Sequence, residues 1–102
     1  MTGAAEARLE RSDGRFELVG ELTFETVTGL WQAAADELAR ADWPVLDLAR
    51  IRRTDSAGLA LLVDWARRAD GDGRSLQLDE APAQLKALAN ASGVQELLGL
   101  TD

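Results

Sequence analysis

The spacing of apolar residues changes period several times along the chain, and each change marks an element. From Arg15 to Leu22 the pattern alternates, with Phe16, Leu18 and Gly20 on one side and Glu17, Val19 and Glu21 on the other. A period of two predicts a strand. The weaker Arg8–Arg11 segment precedes it, and Ser12-Asp13-Gly14 between them has turn chemistry, so the two read as a hairpin. From Thr23 to Arg40 the period lengthens. Val27, Leu30, Trp31, Ala34 and Leu38 recur at helical spacing, with Thr23 or Thr26 as the expected cap and Asp42-Trp43-Pro44 as the stop. Trp31 is expected in the core, and Trp43 is assigned to neither core nor surface.

Val45-Leu46-Asp47-Leu48 reads as a short, central, buried strand. Ser56–Ala69 reads as a second helix, ended by Gly71 and Gly73. Its Leu59, Leu62, Val63 and Ala66 are expected to face the sheet. Ala57, Leu61, Asp64 and Arg68 then fall on the far side, with Trp65 on the flank. Ser75–Leu78 is a further strand. Pro82 opens a third helix with Leu85, Leu88 and Ala89 buried, Gly93 stops it, and Val94–Leu100 is a short terminal helical piece. The order β-β-α-β-α-β-α-α predicts an α/β fold with a mostly parallel sheet of four to five strands and helices packed on it. A single domain over residues 1–102 is expected, with its core at about 8–100, because no repeat, low-complexity stretch or linker divides the chain.

Composition narrows the function classes. With 46% hydrophobic and 28% charged residues, the chain reads as an ordinary soluble globular protein rather than a disordered one. It has no cysteine, which excludes disulfides and thiolate chemistry, and no histidine, the usual base near neutral pH and the commonest metal ligand. Neither a signal peptide nor a membrane span is evident. The net charge of −7 argues against general nucleic-acid binding and against adhesion to anionic lipid. Charge is uneven, however. Residues 50–68 hold five arginines against Asp55 and Asp64, a local excess of +3. These arginines read equally well as solvated charges at element ends.

That basic stretch contains Thr54-Asp55-Ser56-Ala57-Gly58-Leu59, which opens directly into the second helix. Ser56 is the expected N-cap, on a helix start able to take an anion. Ala57 and Gly58 are small enough for another backbone to approach. Leu61 and Trp65, one turn apart beside Arg68, resemble a docking surface; the plainer reading is that they cover the edge of the chain's own core. Catalysis is disfavoured. A serine nucleophile needs a base, the only lysine is Lys86 in another helix, and a carboxylate pair of Asp47 and Asp55 is the remaining option. No cofactor, metal or small-molecule substrate is expected, and because neither Gly20 nor Gly71-Asp72-Gly73 has phosphate-loop spacing, the chain itself should not bind or hydrolyse nucleotide.

Val45-Leu46-Asp47-Leu48 followed by Asp55-Ser56-Ala57-Gly58-Leu59 at a helix start resembles the STAS domain family. Gly20-Glu21-Leu22-Thr23, Leu30-Trp31 and Asp55–Leu62 are closer to its MlaB-type members, the STAS subunits of Mla phospholipid-transport ABC systems. The resemblance implies a non-enzymatic cytoplasmic subunit that binds and regulates the transporter's ATPase, and through it supports outer-membrane lipid asymmetry. Partner-binding residues would then be Thr54, Asp55, Ser56, Ala57, Gly58, Leu61, Trp65 and Arg68. More distantly the motif is similar to that of anti-sigma factor antagonists, which implies phosphorylation of Ser56 by an anti-sigma kinase. In this chain Ala57 stands where that motif usually has a hydroxyl residue.

Overall fold

The computed structural model describes residues 6–13 and 15–100. The hairpin forms as its pattern predicts. Strands β1 (Ala7–Ser12) and β2 (Arg15–Leu22) pair antiparallel, with Leu9 opposite Leu18 and Ser12 opposite Arg15. Gly14, part of the predicted turn, lies outside the described residues. Helix α1 (Val27–Arg40), strand β3 (Leu46–Thr54), helix α2 (Ser56–Gly71), strand β4 (Leu78–Asp79) and helix α3 (Ala83–Ala91) follow. The sheet order is β1-β2-β3-β4, with β3 parallel to both β2 and β4. Strand order follows chain order, so right-handed crossovers bring the helices to one face of the sheet. There α1 packs on α2 and α2 on α3.

The core lies between that face and the helices. Leu18, Leu22, Leu46 and Leu48 enter from the sheet, and Leu38, Leu61, Leu62, Trp65 and Leu85 from the helices. Residues 95–99 form turns rather than the expected helix, but Leu98 and Leu100 still dock into the core.

Three expectations are corrected. First, β3 runs through Ala49–Thr54, a stretch that reads as a basic connection. Its pairing with β2 is interrupted by two register shifts, and each time β3 spends one residue more than its partner. Such bulges keep a strand going while breaking its alternation. Leu48, Ile51 and Thr54 therefore all point inward, while Ala49, Arg50, Arg52 and Arg53 are exposed. The arginines meet acids across the sheet: Arg50 approaches Glu10 at 3.1 Å, and Arg52 and Arg53 approach Glu21 at 3.8 and 4.0 Å. Solvent screens these exposed pairs, so each adds little to stability.

Second, α1 begins at Val27. Residues 23–26 form a turn in which the Thr26 hydroxyl accepts from Thr23 N–H at 3.0 Å and donates to the Glu21 carbonyl at 2.7 Å. Thr26 occupies the cap position without capping the helix by its side chain.

Third, Leu61 and Trp65 are both fully buried, and Val63 is only half-buried. Helix α2 has neighbours on three sides, the sheet, α1 and α3, so its apolar arc is wider than a single-faced stripe. The Trp65 indole donates to the Trp31 carbonyl at 3.1 Å, and the half-buried Trp31 donates to Asp64 Oδ2 at 2.8 Å. Trp43 is buried, and its indole donates to Asp72 Oδ2 at 2.8 Å, tying the C-terminal ends of α1 and α2 together.

Glycines at two positions test this packing. A Cβ at Gly58 would lie 2.2 Å from the Leu22 carbonyl oxygen, whereas one at Gly29 meets nothing within 4 Å. Gly58→Ala should destabilise the domain by about 1–3 kcal/mol. Gly29→Ala, on the exposed side of α1, should stabilise it by about 0.5–1 kcal/mol. Urea unfolding of both variants checks the contrast; equal effects would refute the close approach of α2 to β2.

Candidate functional site

The site lies where the C-terminal ends of β2 and β3 meet the start of α2. Asp55 holds the junction. Its backbone N–H donates to the Leu22 carbonyl at 3.1 Å, and its carbonyl accepts the first helical bond, from Leu59 N–H at 3.0 Å. Its carboxylate divides its work. Oδ1 accepts from the N–H groups of Ala57 and Gly58 at 2.9 and 3.1 Å, and Oδ2 accepts from Phe24 N–H at 3.0 Å, in the turn after β2.

Asp55, not Ser56, is therefore the N-cap, and Ser56 is the first residue of the helix. A carboxylate at this position takes two first-turn N–H groups at once and sets its negative charge against the positive end of the helix. The helix start that reads as open to an outside anion is thus filled by the chain's own carboxylate. Partial burial of Asp55 works to raise its pKa, but the N–H donors of Phe24, Gly58 and Ala57, with the nearby Arg53 guanidinium, outweigh it. The group is held below its usual 3.8.

The residues expected to form one docking surface are separated by the fold. Thr54 is buried, and its N–H donates to Gln84 Oε1 at 3.0 Å, fastening β3 to α3. Gly58, Leu61 and Trp65 are buried. Arg68 spans α2 and α1, donating to Asp64 at 2.9 Å and to Gln32 at 3.2 Å. The backbone that approaches Gly58 is the chain's own, at Leu22. Asp47 and Asp55 do not form a carboxylate pair. Asp47 sits near the start of β3, paired with Arg15, and Asp55 lies beyond its other end. The eight residue steps from one to the other span roughly 25 Å. Among the described residues no cluster of acidic side chains could hold a metal ion.

What stays on the surface is Ser56, exposed, with Ala57 half-buried and Ala60 exposed one turn on. They are joined by a residue that periodicity misses. Phe24 is 79% exposed, and its backbone N–H is bound to the Asp55 carboxylate that caps the helix. Its signal in the sequence is faint. Phe24 continues both the two-residue spacing of Phe16, Leu18 and Leu22 and the helical spacing of Val27, Trp31 and Ala34, so either pattern counts it as an inward residue.

The cap carries a pH prediction. A carboxylate held low in the folded state contributes stability that is complete above its unfolded value of 3.8. That stability is lost as pH falls through the lower folded value. Asp55→Ala should cost about 1–2 kcal/mol at neutral pH. It should also flatten the acid limb of the stability curve below the ordinary carboxylate value. Urea midpoints measured across the acid range check this, and an unchanged acid limb would remove Asp55 from its assigned role.

Two comparisons with known proteins bear on this site. No curated protein matches the chain. A family model described as MlaB, STAS domain, matches residues 5–100, which include every element of the fold and the whole Asp55–Gly58 junction. The chain belongs to the MlaB-type STAS domain family.

Proposed function

We propose that this domain is a non-enzymatic cytoplasmic subunit that binds, and thereby stabilises and regulates, the ATPase of an ABC-type phospholipid transporter maintaining outer-membrane lipid asymmetry. It would be held at the cytoplasmic face of the inner membrane through that complex, since no helix among the described residues is long and apolar enough to cross a membrane. The observation that carries the reading is the exposed Phe24, whose backbone is bonded to the Asp55 cap of the helix start that also presents Ser56 and Ala60. The small residues let a partner approach α2 closely, and the ring supplies apolar area for a pocket on that partner. Because Asp55 fixes both parts, docking orders few side chains. Leu61, Trp65 and Arg68 contribute by holding α2 in place. The exposed side chain of Ser56 favours a second reading, an anti-sigma factor antagonist in which a kinase phosphorylates that residue.

Phe24→Asp and Ser56→Arg should keep the fold, because both side chains lie outside the core. Each should weaken co-purification with the ATPase subunit by about tenfold or more and reduce its effect on ATP hydrolysis. Leu61→Asp is not a probe of the surface, since a charge at a fully buried site unfolds the domain. Wild-type binding by both folded variants would rule out the surface. Phosphate on Ser56 after incubation with an anti-sigma kinase, shown by mass spectrometry, would favour the second reading.

A further inference from the structure

A second surface lies at the opposite end of the sheet, at the N-terminal ends of β3 and β4. Of the large hydrophobic residues exposed in the described chain, Phe24 belongs to the site above. The others, Val45 (45% exposed) and Leu97 (40% exposed), line one groove of about 610 Å³ together with Ser75–Asp79 and residues 96–99. One side of this groove is the edge of the sheet. Strand β4 pairs only with β3, Leu46 opposite Leu78, and Leu46 N–H donates to the Gln77 carbonyl at 2.9 Å. In a parallel ladder the neighbours of the paired residue bond inward, so the N–H and C=O of Leu78 itself point away from β3, toward the open edge. An edge of this kind is a template for another extended chain.

The charge of the groove decides what fits. Its ionisable lining is Asp79 and Glu96, with Glu80 exposed beside them. Arg15, which shares a second hollow with Val45, pairs with Asp47, and Arg74, next to Ser75, lies 4.0 Å from Asp42. A second copy of this chain would bring a net charge of −7 and the same carboxylates, so edge-to-edge self-pairing is repelled. We propose that the β4 edge accepts an extended basic segment of a partner protein as a fifth strand. Alternate apolar side chains of that segment fill the groove between Val45 and Leu97, and its Lys or Arg residues lie against Asp79 and Glu96. The surface is independent of the α2 site, and either can fail without the other.

The probe is a synthetic seven-residue peptide alternating Lys and Val, with a Glu-Val alternating peptide as control. Backbone amide NMR should show the Lys-Val peptide shifting Leu76, Leu78, Val45 and Leu97, while Phe24 and Ser56 stay unmoved. Leu97→Lys, an exposed change that leaves the core intact, should weaken binding by about fivefold to tenfold. The same experiment at raised salt should retain the Leu78 shift at saturating peptide. Shifts spread over all acidic patches, an equal response to the Glu-Val peptide, or a dimer formed through β4 in ultracentrifugation would each overturn the proposal.

Discussion

The Asp55 carboxylate is the contact on which the working end of this domain depends. Three backbone N–H groups from two separate segments converge on its two oxygens, while its own backbone is bonded to β2 and to the first turn of α2. A neutral side chain of the same size offers weaker acceptors, and a serine hydroxyl is too short to serve both segments. Gly58 works with it. Because no side chain stands at that position, the first turn of α2 presses against the Leu22 carbonyl, which brings Phe24 within reach of Asp55. The helix start and the backbone at Phe24 are thus tied together, although some thirty residues separate them in sequence.

The burial of α2 follows from the same compactness. A helix lying on a sheet with no flanking neighbours exposes about half its circumference, whereas α2 is also held by α1 and α3. The Trp31, Asp64, Trp65 and Arg68 interactions turn what looks like a free outer face into an internal seam. The surface left is a narrow strip running from Ser56 through Ala60 to Arg67. On so narrow a strip, a neighbouring loop residue such as Phe24 adds a large share of the available apolar area.

How much of this was legible in the sequence depended on whether one periodicity governed each element. The hairpin, the helices and the parallel order were readable, because Phe16 and Leu18, or Val27, Leu30 and Ala34, repeat at a single period. Strand β3 was half-read. Its two bulges replace alternation by a spacing of three, Leu48, Ile51 and Thr54, which no strand template matches. Local capping chemistry found the start of α2 but assigned its cap to Ser56 rather than Asp55. Serine and aspartate are comparable caps on local grounds, and only the position of Phe24 N–H, a long-range fact, gives the role to Asp55. Leu61 and Trp65 were misplaced for a related reason, since a single sequence shows how wide an apolar arc is but not how many neighbours will cover it.

The distribution of charge is consistent with both proposed contact surfaces lying at the ends of the sheet rather than on its open face. That face is broad, and its arginines and acids answer one another: Arg50 with Glu10, Arg52 and Arg53 with Glu21, Arg15 with Asp47. Its local basic excess is largely neutralised within the chain, and a partner would have to displace those pairs and desolvate long side chains to gain little. The ends are different. One carries a ring and small residues around a carboxylate already satisfied by backbone donors, and the other carries apolar side chains, an unpaired strand edge and carboxylates with no arginine of their own. A partner at the first end needs shape and apolar area, whereas a partner at the second needs a free backbone and positive charge. The two proposed surfaces would therefore select partners of different chemistry, and occupation of one would leave the other open.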